Sequence, residues 1–95
     1  MITVDLPATV IATNVATVAV PGTQVQLPDT PSRAVRLRAL DANTGLIYFG
    51  DSTVAAATGD RLAATESIDL GVDNLNRIWI DAAVAGEGVS WTVLR

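Results

Sequence analysis

The chain contains no cysteine, no histidine and no lysine. Without cysteine it has neither a disulfide framework nor a thiolate metal site. Without histidine, cysteine or a lysine amine, the usual pairings of a nucleophile with its base cannot be assembled, and acid–base chemistry is left to carboxylates. Aromatic residues make up 4% of the chain and charged residues 17%, against roughly a quarter charged in an average soluble domain. All six cations are arginines, the net charge is −4 and the pI is about 4.3. Nucleic-acid binding, which needs a basic footprint, is therefore not expected. No apolar stretch approaches the ~18 residues of a membrane span, so no membrane partner is expected. Asp5 and Pro7 interrupt the first apolar run, which lacks a basic flank, and a signal peptide of the usual pattern is not expected either.

Apolar residues reach 49%. Part of that is alanine, which buries little; the remainder suggests apolar surface that meets a partner. The 95 residues correspond to one domain. Short β-type runs are cut by Gly, Asn and Asp at intervals of roughly 8–12 residues, the spacing of a sandwich or barrel. No βαβ rhythm, helix period, internal repeat or linker appears. The expected fold is all-β: a small antiparallel β-sandwich, jelly-roll-like or Ig-like, of about eight short strands. Residues 1–19 are read as an N-terminal strand or arm joined to the same domain, and residues 20–95 as the sandwich body.

Several strands can be read with their faces. Residues 34–40 alternate, with Val35, Leu37 and Ala39 inward and Arg36 and Arg38 outward. Val25 and Leu27 oppose Gln24 and Gln26. Ile68, Leu70 and Val72 share an inner face, as do Val89, Trp91 and Val93. Residues 77–82 place Ile78 and Ile80 inside and Arg77, Trp79 and Asp81 outside. Residues 10–20 are rich in β-branched side chains, which disfavour a helix, and are expected as two strand pieces broken or bulged at Asn14. Pro21-Gly22 and Gly59-Asp60 signal turns. Two prolines within residues 28–32 preclude a central strand there. Residues 41–45 and 85–88 are expected to be tight hairpin connections, with Gly45 supplying a positive φ. Residues 53–58 are read as a loop, an edge strand or a short turn of helix.

Candidate chemistry is sparse. Asp41, Asp51, Asp60, Asp73 and Asn74 sit where turns need capping, which accounts for them without catalysis. A pair of them acting as a glycosidase would require a defined separation. Asp41, Asn43 and Gly45 faintly suggest a calcium loop, but Gly falls fifth instead of sixth and Ser52 stands where the twelfth-position Glu belongs. No catalytic, cofactor-binding or metal-binding residue is assigned, and an enzyme is not expected. The candidate interface residues are Arg33, Arg36, Arg38, Arg77 and Trp79, because Trp and Arg are favoured anchors of protein interfaces.

The runs Asn-Thr-Gly-Leu-Ile-Tyr-Phe-Gly-Asp-Ser from Asn43, Thr-Gly-Asp-Arg-Leu from Thr58, Glu-Ser-Ile-Asp-Leu from Glu66 and Val-Asp-Asn-Leu-Asn-Arg-Ile-Trp-Ile-Asp from Val72 carry a resemblance. So do Val-Gln-Leu-Pro-Asp-Thr-Pro-Ser-Arg from Val25 and Gly-Glu-Gly-Val-Ser from Gly86. Over residues 20–93 the chain resembles small β-sandwich proteins encoded among the virion genes of tailed bacteriophages. The resemblance implies a capsid decoration (cement) or head-fibre-type protein on the outer capsid surface of the virion. Its implied partners are the major capsid protein and itself, as a homotrimer, and no cofactor. On that reading the three arginines at 33, 36 and 38 would pair bidentately with acidic groups of the shell or a sibling subunit. The alternative expectation is a carbohydrate- or receptor-binding module of a fibre or adhesin, motivated by Trp79 and the acidic turns.

Overall fold

The computed structural model of the chain describes residues 10–95. The strands are β1 (Ile11–Thr17), β2 (Val25–Gln26), β3 (Ala34–Ala39), β4 (Ile47–Gly50), β5 (Asp60–Leu62), β6 (Ser67–Leu70), β7 (Trp79–Ala82) and β8 (Gly88–Leu94), with a 3-10 turn, η1 (Leu75–Arg77), before β7. They form two four-stranded antiparallel sheets, in the orders β1-β8-β3-β6 and β2-β7-β4-β5. The chain pairs as nested couples, β1 with β8, β2 with β7, β3 with β6 and β4 with β5, as if one long hairpin had been rolled up. That is the strand order of a jelly roll, and it selects between the two sandwich types expected.

The alternation read in β3 and β8 holds residue by residue. Val35, Leu37, Ala39, Val89, Trp91 and Val93 are buried, while Arg36 and Arg38 are exposed. Facing them from the other sheet are Ile47, Phe49, Leu62, Ile80 and Ala82. Val18, after β1, and Leu75, in η1, are fully buried and complete the core. Burial of this kind stabilises by about 25 cal/mol per Å² of apolar area. Ile68 and Leu70 of β6 and Val72 beyond it are only half-buried, because β6 is an edge strand.

Three local expectations fail. Asn14 neither breaks nor bulges the first strand: β1 runs unbroken, with Asn14 opposite Trp91 in a regular register. The Asn14 Oδ1 accepts the Val15 N–H at 2.8 Å, so its tendency to bond nearby backbone is met inside a strand. Residues 41–45 and 85–88 do not close hairpins, since they belong to the β3–β4 and β7–β8 connections, residues 40–46 and 83–87 with the start of β8. Each carries the chain from one sheet to the other, β3 to β4 and β7 to β8. Nor does Gly45 have a positive φ, which among the described glycines belongs to Gly22 and Gly86. Gly45 instead sits in a close approach, since a Cβ there would stand 2.9 Å from Val84 Cγ2 and 3.1 Å from Ala83 Cβ.

Of the N-terminal segment, residues 11–17 form β1, an integral strand of the first sheet. Residues 1–9 lie outside the described residues. Residues 53–58 are a turn-rich loop with Val54 tucked inward.

Candidate functional site

A jelly roll presents two outer sheet faces, its sheet edges and its end loops. On the outer face of the first sheet, the register lines up Thr13, Thr92, Arg36 and Asp69 in one row and Val15, Ser90, Arg38 and Ser67 in the next. Arg36 meets Asp69 bidentately, Nε to Oδ1 at 2.7 Å and Nη2 to Oδ2 at 3.2 Å. This fork holds the Asp69 carboxyl below its ordinary range and raises the arginine. Arg38 donates to Asp41 at 3.1 Å. Arg33 precedes β3, out of alternation with the other two, and its backbone N–H donates to the Leu94 carbonyl.

The second sheet carries the remaining candidates. Arg77, in η1, pairs with Asp73 at 2.9 and 3.3 Å and lowers that carboxyl's pKa. Trp79 starts β7, half-buried, with Gly50 beside it on β4 and Gln26 on β2. One step along the same face Asp81 adjoins Tyr48, and Tyr48 adjoins Arg61. Trp79 and Tyr48 are thus diagonal neighbours on one outer face, and Val54, from the loop after β4, packs over Gly50 beside them.

Asp81 is a correction to the sequence reading. Its strand face is the outer one, as expected, yet the residue is only 3% exposed. The connection from β1 to β2 folds over it, and Oδ1 accepts the N–H of Gly22 at 3.0 Å and of Ala82 at 2.8 Å. Pro21-Gly22 forms the anticipated turn, closed by Thr23 N–H to Val20 O, with Gly22 at φ 89° as the third position of a type II turn demands. Asp81 therefore fastens this turn instead of offering a charge to solvent.

The five candidate interface residues do not form one surface. Arg36 and Arg38 share the first sheet's outer face, whereas Trp79 lies on the second sheet's, with Arg77 just ahead of it. The Arg36, Arg38 and Arg77 guanidiniums are each engaged within the chain.

Other polar residues act as fasteners. The Glu87 carboxylate accepts the N–H of Gly45 at 2.9 Å and both the N–H and hydroxyl of Thr44, at 2.7 and 3.0 Å. These bonds hold its pKa below the ordinary value. Asn43 donates from Nδ2 to the Gly88 carbonyl at 2.8 Å. Together Glu87 and Asn43 tie the two inter-sheet crossovers to each other. Asp51 caps its own turn through Thr53, and Asn74 caps η1 by accepting the Asn76 N–H. Asp41 and Asn43 thus turn to different partners, and among the described residues no three acidic groups gather as a metal site would require.

The apolar side chains left in solvent are unevenly placed. Ile11 is 73% exposed, Val20 59% and Val15 52%, with Val10 and Val84 less so. Four of these five lie on β1 or its flanks, and the fifth in the turn that hydrogen-bonds to Val18. Sequence reading missed this concentration, because only strand order tells an edge from a centre. No protein-family model matches the chain, and no curated protein or solved structure shows significant similarity to it.

Proposed function

We propose that the protein is a virion structural component of a tailed bacteriophage, a decoration protein that binds the outer capsid surface as an oligomer and stabilises the head. The observation that carries the reading is the jelly-roll order, an architecture shared by many viral capsid and lectin domains. It supports the role by fold-level analogy, alongside the turn-and-strand resemblance in the sequence. The exposed apolar residues around β1 fit a chain that works by contact with other subunits. The homotrimer and the major capsid protein as partner come from the resemblance. A shell under pressure from packaged DNA is reinforced by a rigid subunit bridging its neighbours, a role that needs complementary surface and no reactive centre. The test is cosedimentation of purified protein with undecorated heads, followed by thermal challenge of the heads. Saturable binding and delayed DNA release are expected; a protein that leaves heads unbound refutes the reading.

A second reading has its own observation. Trp79 and Tyr48 are neighbours on the second sheet's outer face, flanked by Gln26, as in a platform on which a sugar ring stacks. Glycan-array binding abolished by Trp79→Ala supports it; no binding to any glycan retires it.

A further inference from the structure

We propose that β1 is a self-association edge, pairing antiparallel with β1 of a second copy of this chain to join two sheets into one of eight strands. The inference goes beyond the decoration role and does not rest on it, so failure to bind heads leaves it standing.

The hydrogen-bond phase of β1 is set at its start. Val10 and Arg95 exchange both backbone bonds, at 2.6 and 3.0 Å. Antiparallel alternation then gives Ala12, Asn14 and Ala16 to β8 and turns the N–H and C=O of Ile11, Thr13, Val15 and Thr17 toward the outer edge. β8 agrees, since the carbonyls of Leu94 and Gly88 accept from Arg33 and Leu40 on its β3 side. Among the described residues no strand pairs that outer edge. On that edge the Asn14 side chain accepts the Val15 N–H.

The four sheet edges are not alike. β2 has two residues, β5 has three including Asp60 and Arg61, and β6 has four including Asp69. Short and charged edges resist pairing. β1 has seven residues, Ile-Ala-Thr-Asn-Val-Ala-Thr, with no charge, proline or glycine. An exposed edge of this kind is a template for another strand. The occupant is a second β1, because two uncharged strands approach without repulsion although each chain carries −4 overall. A two-fold axis at Asn14 sets Ile11 opposite Thr17 and Thr13 opposite Val15, all β-branched pairs of the kind that stabilise ladders. It also brings Val10 of one copy level with the 18–20 end of the other, where Val20 is exposed. In this arrangement the Asn14 amide is a cover: it satisfies the Val15 donor in the single chain and must swing away when two copies meet. Two-fold pairing yields dimers, not the trimer implied by the resemblance, so solution mass separates the two.

The test is sedimentation equilibrium over about a hundredfold concentration range, with amide exchange alongside. The intact chain is expected to pass from monomer to dimer, and the amides of Ile11, Thr13 and Thr17 to gain protection in step with concentration. Ala12, Asn14 and Ala16 should be protected throughout. Thr13→Pro removes an outward N–H at an edge position where proline is tolerated, and should abolish the dimer while leaving thermal unfolding of the monomer in place. Should it unfold the chain, Val15→Lys, which sets like charges across the axis, gives the same expected loss. Asn14→Ala, by uncovering the Val15 donor, should tighten association several-fold. A chain that stays monomeric throughout, or an oligomer indifferent to Thr13→Pro and Val15→Lys, overturns the proposal.

Discussion

Gly88→Ala is the substitution whose cost this fold specifies most sharply. Gly88 opens β8 opposite Thr17, and β1 crosses it so closely that a Cβ would strike the Ala16 carbonyl oxygen. The same Cβ would stand 2.7 Å from the Thr17 Cα and 2.9 Å from the Ala16 carbonyl carbon. All three atoms are backbone, so no side chain can move aside, and the end of β1 must retreat. Two hydrogen bonds depend on that approach, Val18 N–H to Glu87 O at 2.9 Å and Gly86 N–H to Val18 O at 2.8 Å. Each is worth about 1 kcal/mol net. Val18, wholly buried, would be drawn out of the core, forfeiting up to ~1.5–3 kcal/mol. The expected cost is about 3.5–5 kcal/mol, a large share of the ~5–15 kcal/mol by which a domain is stable. For a chain of this size that lowers Tm by at least about 15 °C. Urea unfolding followed by tryptophan fluorescence measures it. The control is Gly86→Ala, two residues away: Gly86 has φ 81° and nothing within 4 Å of its Cβ position. That change pays for a left-handed conformation alone, about 1–2 kcal/mol. Both substitutions restrict the unfolded chain alike, so their difference isolates the clash. If Gly88→Ala costs no more than Gly86→Ala, the close crossing of β1 over β8 is wrong.

Ile80→Asp should abolish folding, because Ile80 is fully buried at the centre of the second sheet and an uncompensated charge there costs several kcal/mol; a native-like melting curve would contradict its position. Trp91→Ala should destabilise by about 3–5 kcal/mol, whereas Trp79→Ala, on the outer face, should cost distinctly less in the same denaturant titration. Trp91→Phe should cost less than Trp91→Ala, since it also discards a buried indole N–H with no acceptor among the described residues. The chain should lose stability on acidification. Glu87 is held below its ordinary 4.5 by the Gly45 and Thr44 amides, Asp69 below its ordinary 3.8 by Arg36, and Asp73 by Arg77. Between each lowered folded value and the ordinary one the folded state binds fewer protons than the unfolded state. The stabilisation is therefore complete above about pH 5 and drains away as pH falls through 4.5 and below. Denaturation midpoints from pH 6 to 3 check this, and Glu87→Gln should flatten the upper part of the decline. A midpoint that rises on acidification would reverse the argument.

The parts of this protein legible in one dimension are those governed by near-neighbour rules. In β3, Arg36 and Arg38 between Val35, Leu37 and Ala39 declare two faces, because successive side chains of a strand must point opposite ways. Trp91 was placed in the core, and Pro21-Gly22 in a turn, by the same kind of local constraint. Asn14 misled because its turn preference is also met by the backbone N–H next to it, which a strand edge exposes. Asp81 misled because alternation assigns a face but not what lies over it; the cover comes from Gly22, 59 positions away. Arg36 and Arg38 were legible as exposed, while their separation from Trp79 onto the opposite sheet was not.

Strand content, the inner and outer face of the longer strands and the lack of any thiol or imidazole side chain were determined by the sequence alone. Only the tertiary structure decided that residues 41–45 and 83–87 cross between sheets, that β1 lies at an edge with its apolar side chains uncovered, and that Asp81 is enclosed. The physical reason is that pleating repeats every two residues and is written locally. The choice of pairing partner is set by burying all the apolar faces at once, and here it joins the two ends of the described chain, β1 to β8, before any nearer neighbour.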